Sequence, residues 1–417
     1  MIDEDASLEA ERLRHRAATS GPSAARPSLY TREFLTIAIG VLALFTAGGL
    51  FLPTIPRYAA GPLHGDASTV GIAVGILSLA SIVVRPLAGR LADRRGRRLT
   101  LLLGAVVTTA GCFGHLLATD LPTLVVMRLL IGAGEALYFV AAFAAATDLA
   151  PEDRHGEAIS LMSLALYLGV AFGPILGEVI LKPAGFDGVW IAAGVIAAVS
   201  IGLALLAPET LSRASRENAP RGSLLHRRGI VPGLLVLCGT WGMGAYFAFL
   251  PLLGDEIHLD GVSSYFALFA IVVVGLRLLG ARLPDRIGAA RLSGSALVAT
   301  AVGLAIGGLF PTPVGLAVMT AIFAVGVAFT FPAIVALSVQ GVSSAERGSV
   351  VGTTSLFTDV SFGLSPALLG LLAPVTGYPS TFLVSAVFAV AGSAYLLIRR
   401  PGSAGTTRTG AAPSAAG

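Results

Sequence analysis

Charge is what this sequence has least of. Asp, Glu, Lys and Arg make up 12% of the 417 residues, about half the share of soluble domains, which is ~25%. The strongly apolar set reaches 55%, and 51 glycines bring the uncharged, low-polarity share to about two thirds. With a mean hydropathy of +0.83, too little polar surface is left to clothe a water-soluble globule, so soluble enzymes and secreted domains are excluded. Cysteine is nearly absent. Cys112 and Cys238 both lie in apolar stretches and give neither a disulfide framework nor metal-ligand spacing. The histidines (His15, His64, His115, His155, His226, His258) are scattered with no pair at i, i+4, so no metal site and no cofactor are expected. No nucleotide-binding P-loop string occurs, which excludes a primary pump. Residues 1–32 lack the early apolar core of a cleavable leader, and the first span is expected to serve as its own insertion signal. The net charge of +4 comes without a basic patch interleaved with aromatics, so no nucleic-acid partner is expected.

What the sequence does contain is one apolar run after another. They fall near 34–52, 69–88, 99–118, 121–147, 157–181, 188–207, 230–253, 263–281, 292–310, 313–338, 348–373 and 380–398. Each is long enough to cross a bilayer, which takes ~20 residues, and each is bounded by Pro, Gly or charge. Lys and Arg are retained on the cytoplasmic side of membranes. With the N-terminus inside, 25 of the 28 basic residues fall on cytoplasmic segments, Arg57 and Lys182 fall outside, and Arg128 lies within a span. That bias predicts an all-α membrane protein of the cell membrane, with twelve transmembrane helices and both termini cytoplasmic. The tail 401–417, mostly Gly, Ser, Ala and Thr, reads as disordered.

An internal repeat is visible. Arg85, Arg90, Leu91, Asp93, Arg94 and Gly96 recur as Arg277, Arg282, Leu283, Asp285, Arg286 and Gly288, each offset by 192 positions. The same offset relates Gly156 to Gly348 and Pro174 to Pro366. Two pseudo-symmetric six-helix bundles in parallel orientation follow. The organisation is a cytoplasmic tail 1–32, an N-terminal bundle 33–208, a cytoplasmic linker 209–229, a C-terminal bundle 230–400 and the tail 401–417.

The loop after the second span reads Gly89-Arg90-Leu91-Ala92-Asp93-Arg94-Arg95-Gly96-Arg97-Arg98. A turn at Gly96 keeps spans 2 and 3 close, and Asp93 can sit at the positive N-terminus of a neighbouring helix and pair with an Arg. This string resembles the signature between spans 2 and 3 of the major facilitator superfamily. The resemblance implies a cytoplasmic latch built from Gly89, Asp93, Arg94, Gly96 and Arg97, closed when the transporter faces outward. The other reading is positive-inside topology with a Gly turn. Span 4 carries Arg128-Leu129-Leu130-Ile131-Gly132-Ala133-Gly134-Glu135. A charge within a span costs roughly 2.5–3.5 kcal/mol and is expected to face protein or water. Arg128 and Glu135, seven apart, share one helical face, and Glu135 falls near the midplane. The string resembles the family's span-4 motif, which implies proton transfer, although Ile131 and Glu135 depart from it. Alternatively, the two charges stitch span 4 to a neighbour.

Span 5 carries Gly169-Val170-Ala171-Phe172-Gly173-Pro174-Ile175-Leu176-Gly177-Glu178. Gly169, Gly173 and Gly177 form a bare ridge against which another helix can pack, and Pro174 kinks the helix. It resembles the span-5 motif of the antiporter branch, including the twelve-span drug:proton antiporters, and implies a gating role, with general glycine packing as the other reading. Glu178 replaces the usual Gly near the outer end of the span, where solvation is the simple account. Pro53-Thr54-Ile55-Pro56 in span 1 also looks like the efflux branch. Asp359, about eleven residues into span 11, is a second acid at depth, and its repeat partner is Tyr167. It reads either as a proton site or as a packing hydrogen bond to a residue such as Ser361.

The resemblance, running from about 34 to 398, implies a secondary transporter whose cavity lies between the halves and is lined by spans 1, 4, 7 and 10. Candidate cavity aromatics are Tyr138, Trp241, Tyr246, Phe247, Phe329 and Phe331. An apolar, aromatic cavity suits small amphipathic molecules, so the expected function is proton-coupled efflux of a drug or secondary metabolite, with Glu135 as proton carrier, Arg128 tuning it and Asp359 in reserve. A sugar or nutrient transporter of the same fold is the alternative, and a non-transporting membrane sensor the third class. The expected partners are a small-molecule substrate, protons and the lipid bilayer, and the expected state is a monomer.

Overall fold

Apolar runs that begin at capping residues become long helices. The computed structural model describes residues 29–151, 154–211, 226–280, 287–342 and 344–398. The readings for the two tails, for most of the linker and for Arg282, Leu283, Asp285 and Arg286 lie outside the described residues. The helices are α1 Arg32–Ala60, α2 Ala67–Arg95, α3 Arg97–Gly114, α4 Leu121–Leu149, α5 His155–Leu206, α6 Arg227–Glu256, α7 Ser263–Leu279, α8 Ala289–Leu309, α9 Pro313–Ser338, α10 Ser344–Thr376 and α11 Tyr378–Ile398. No strand occurs among the described residues. Side-chain oxygens cap the orphan N–H groups at several starts: Thr31 accepts from Phe34, Asp66 from Thr69, Asp120 from Thr123 and Thr312 from Gly315. Hydrogen bonds from Ser68 and Thr69 hold the Asp66 carboxyl down at about 2.

Ten of these helices are long and apolar enough to cross a membrane, and α7 is a shorter apolar helix. The run α5 doubles back on itself. Gly169 lies against Leu42 and Gly177 against Leu50, whereas farther along Trp190 stacks on Phe51 and Ser200 bonds the Gly40 carbonyl. The chain therefore runs one way along α1 and then back. Gly185 makes the reversal, with a φ of +64° that suits glycine. The sequence places a loop at 182–187, but the turn is so tight that helix flanks it on both sides. In α1 the helix continues through Pro53 and Pro56 to Ala60, eight residues beyond the apolar run.

The end of the bundle where α1 begins is called here the terminal face, and the end at Ala60 the far face. The repeat is visible in the turns, since Gly96 and Gly288 take φ values of +116° and +89° at matching helix junctions. It is also visible in how the halves meet, with α2 of the first half packing on α10 and α5 packing on α7. Shifting α2 and α5 by 192 positions gives α7 and α10, so these two seams are equivalent. Burial is not uniform along the bundle. The largest core cluster joins both halves, from Leu50, Phe51 and Ile55 of α1 to Phe247, Phe249 and Leu250 of α6. Toward the terminal face the cores separate: Phe34, Ile37, Val41 and Ala146 belong to one cluster, and Leu235, Val236 and Ile334 to another. The halves are joined at the far face and apart at the terminal face.

Candidate functional site

Charges buried in an apolar bundle must find partners, and these do so in a row. Arg128, 4% exposed, donates from Nε to the Ala73 carbonyl (3.0 Å) and from Nη2 to the Val74 carbonyl (3.5 Å), both on α2. Its Nη1 has no partner, and the guanidinium stands 6.0 Å from the Phe51 ring. Two turns along α4, the Glu135 carboxylate rests on α1, where a Cβ at Gly48 would strike it. Arg128 and Arg85 both act electrostatically on Glu135. Arg85 belongs to α2 and reaches across the seam to Asp359 of α10, Nη2 to Oδ1, at 3.1 Å. Its guanidinium also lies 4.8 Å from the ring of Phe139, one turn beyond Glu135. Arg128, Glu135, Arg85 and Asp359 thus alternate in sign across the boundary between the halves. Asp359 takes the ion pair rather than a bond to Ser361, whose hydroxyl donates to the Leu237 carbonyl at 3.4 Å. Arg85, counted with the cytoplasmic basic residues in the sequence, lies inside the bundle.

The six aromatic candidates do not converge on one wall. Tyr138 is buried in the terminal-face core of the first half, with Gly40 and Gly104 leaving it room. Trp241 stacks on Phe388 at 4.4 Å. Tyr246 is fully buried, donating to the Tyr265 carbonyl and meeting the Thr320 hydroxyl, each at 3.2 Å. Phe247 stacks on Phe266 and reaches Phe362 of α10. Phe329 packs by Gly280, and Phe331 is half-buried against Leu235, Val236 and Ile334.

The far face is held by ions that the sequence reading names but does not pair. Arg57 donates to Glu178 Oε1 at 2.7 Å and, from Nε and Nη2, to Asp255 at 2.9 Å each. Glu178 in turn accepts the Val262 N–H at 2.7 Å and the Ser263 N–H, capping α7 from the opposite half. It is 3% exposed, a correction to the solvated reading, because the N-terminus of α7 covers the part of α5 just before its reversal. Two signals pointed here: a carboxylate in place of a motif glycine, and Arg57 as one of two basic residues on its side. The glycine ridge itself packs inside the first half. Gly169 meets the Leu42 carbonyl, Gly173 meets Gly49, Gly177 meets the Leu50 carbonyl, and Pro174 touches Gly49.

At the terminal face, Asp93 pairs with Arg97 at 2.5 Å, Arg97 reaches Asp148 at 3.2 Å, and its N–H bonds Glu209 at 2.9 Å. Asp93, Arg97 and Asp148 belong to the first half, and Glu209 stands where the linker begins. Gly96 makes the expected turn, Arg94 is exposed, and a Cβ at Gly89 would meet nothing.

Comparison with known proteins agrees with this architecture. The profile of the Major Facilitator Superfamily matches residues 37–361 and 285–416. An uncharacterised MFS-type transporter of Salmonella typhimurium is 30% identical over 365 residues, covering 84% of this chain and 93% of the relative. One from Burkholderia mallei is 29% identical over 409 residues, covering 95% and 99%. Among solved structures, the nucleoside transporter NupG aligns with a TM-score of 0.74 at 14% identity, covering 88% of this chain and 99% of NupG. A bacterial homologue of the human lysosomal transporter Spinster, inward-facing and unoccupied, aligns at 0.72 and 16% identity, covering 90% and 97%. The chain belongs to the Major Facilitator Superfamily and is a multi-pass membrane transporter of a small molecule, not an enzyme.

Proposed function

We propose that the protein is a proton-coupled secondary transporter that exports a small amphipathic organic compound, such as a drug or secondary metabolite, across the cell membrane by alternating access. The chain crosses twelve times, counting α5 twice, and the basic bias makes the terminal face cytoplasmic. The bundles 33–208 and 230–400 rock against each other as a monomer. Separate cores at the terminal face and a shared core at the far face are what a cytoplasm-open state requires, and one structural neighbour is described as inward-facing. The observation that carries the reading is the alternating row of charges across the half boundary. In it Glu135 is the principal proton carrier, Arg128 tunes it, and Asp359 is the second acid.

Gating follows the same logic. In this state Asp93, Arg94 and Arg97 belong to a released latch, and the open space at Gly89 awaits the other half when the cytoplasmic side closes. Gly96 sets the latch turn, and Gly169, Gly173, Pro174 and Gly177 keep α5 rigid on α1, so that Glu178 moves with the first half. Of the aromatics, Phe331 near the cytoplasmic opening is best placed for substrate, while Tyr138, Trp241, Tyr246, Phe247 and Phe329 are packed in the cores of the two halves. A sugar carrier would need a polar lining on α1, α6 and α9, which are mainly Gly, Ala, Leu and Phe. The test is a panel of amphipathic compounds, sugars and nucleosides in proteoliposomes under an imposed pH gradient. Glu135→Gln is expected to abolish gradient-driven uptake of the transported compound while sparing counterflow. Retained gradient coupling in that variant would overturn the assignment.

A further inference from the structure

The 192-residue repeat makes a comparison inside the molecule that neither half reveals alone. Arg85 of α2 and Arg277 of α7 are repeat partners, and so are Asp359 of α10 and Tyr167 of α5. The structure pairs them crosswise. Arg85 meets Asp359 at 3.1 Å, and Arg277 lies 3.9 Å from the centre of the Tyr167 ring. Each seam thus has one arginine from one half resting on one side chain of the other, at the same depth in the fold. In one seam the contact is an ion pair, and in the other it is a cation over an aromatic face. The Nε atoms of both arginines are buried without a partner, so each guanidinium is held by this cross-seam contact rather than by a full set of hydrogen bonds. The Oδ2 atom of Asp359 is buried without a partner too. Protonation at that oxygen would neutralise the carboxylate and remove the ion pair. A phenol face binds the cation whether or not protons are exchanged nearby.

We propose that Arg85 is a positioning residue that makes its contact across the α2/α10 seam proton-sensitive, while Tyr167 keeps the repeat-related contact across the α5/α7 seam, that with Arg277, indifferent to pH. With Asp359 deprotonated, the pair ties α2 to α10 in the cytoplasm-open state described here. When Asp359 Oδ2 takes up a proton, Arg85 loses its cross-seam anion and keeps Phe139 and Glu135, which belong to its own half. The tie then breaks and the seam is free to rearrange. Arg85 is 29% exposed at its side chain, so the pair is open on the arginine side. The charged neighbours are few. Arg85 is the group acting on Asp359, while Arg128, Arg85 and, from α3, Cys112 interact with Glu135. On its other side α10 meets α6 at Gly233 and at the Leu237 carbonyl, which carry no charge. The inference rests on proton coupling but assigns the conformational response to a different pair from the proton carrier Glu135.

The test is a distance measurement between spin labels at the far-face ends of the two halves, replacing Leu117 and Val314 in full-length protein lacking Cys112 and Cys238, reconstituted in lipid and titrated with pH. The parent is expected to shift between two distances with one midpoint. Asp359→Asn and Arg85→Gln should abolish the shift or move its midpoint by about one pH unit or more, and Arg85→Lys should restore it. Tyr167→Asp should add a second titrating pair and steepen the transition. A parent-like midpoint in both Asp359→Asn and Arg85→Gln overturns the proposal. So does an unchanged slope in a folded Tyr167→Asp variant. Glu135→Gln separates the two readings: loss of gradient-driven uptake with a parent-like pH shift supports a separate role for Arg85, and loss of the shift in Glu135→Gln alone contradicts it.

Discussion

The two seams between the halves do the same job with different chemistry. Along α2/α10 the backbones touch: a Cβ at Gly71 would strike the Pro366 carbonyl, one at Gly75 the Gly363 carbonyl, and one at Gly370 the Ala67 carbonyl. Along α5/α7 the glycines of α5 face α1 instead, and the seam is closed by the Glu178 carboxylate on the N-terminus of α7. At its far-face end the α2/α10 seam is a join of bare backbones that depends on shape, and its charge is confined to the Arg85–Asp359 pair nearer the terminal face. A carboxylate cap depends on one charged group and its counter-ion Arg57. The repeat supplied the same scaffold twice, and the two copies diverged at the positions where charge crosses between halves.

The largest expected effect breaks the dry seam. Gly75→Leu places a side chain where the Gly363 backbone lies, so α2 and α10 cannot close at the far face. Transport should fall more than about tenfold while each half stays folded, as judged by melting temperature in detergent. Gly173→Leu is the contrast, because its clash is with Gly49 inside the first half, and there the melting temperature should fall with transport. Equal melting temperatures for the two variants would show that the ridge and the seam are not distinct.

Next in size is the ionic seam. Glu178→Gln removes the charge that caps α7 and pairs with Arg57, while Arg57 keeps Asp255. Losing a charged hydrogen-bonded contact of this kind costs roughly 2 kcal/mol, so the ratio of far-face-closed to far-face-open molecules should drop about thirtyfold. The Leu117–Val314 label distance reads this directly, and no change would mean that the cap is decorative. The smallest effect is at Asp66, the cap of α2. Its carboxyl is held at about 2, below its unfolded value near 3.9, so its contribution is fully present above that value and is lost only as pH falls toward 2. Asp66→Asn should therefore leave the pH profile of transport between 5 and 8 unchanged. A shifted profile would place a titrating group outside the buried charge row.

The fold was legible in the sequence to the extent that depth decides it. Residue counting along apolar runs placed Arg128, Glu135 and Asp359 inside the bundle, and the repeated turn glycines marked the same helix junctions in both halves. What residue counting does not give is azimuth. A helix surrounded by lipid and other apolar helices carries little amphipathic signal, so the sequence could not say that Arg128 bonds α2 carbonyls, that Tyr138 points into a core, or that the ridge of α5 faces α1. In the sequence Arg85 looks like topological charge, because a basic residue near a loop is ordinary. Its partner Asp359 lies 274 positions away in the chain, and only the packing of α2 on α10 brings the two together.

In the proposed cycle the buried row of charges moves a proton each time the halves exchange. The most direct test loads proteoliposomes with a pH-sensitive dye and adds each transported compound of the panel to parent, Glu135→Gln and Asp359→Asn proteins. Proton movement is expected with the parent, none with Glu135→Gln despite intact counterflow, and movement with a shifted pH dependence for Asp359→Asn. Full proton movement in Glu135→Gln with none in Asp359→Asn would contradict it and place the proton path on α10.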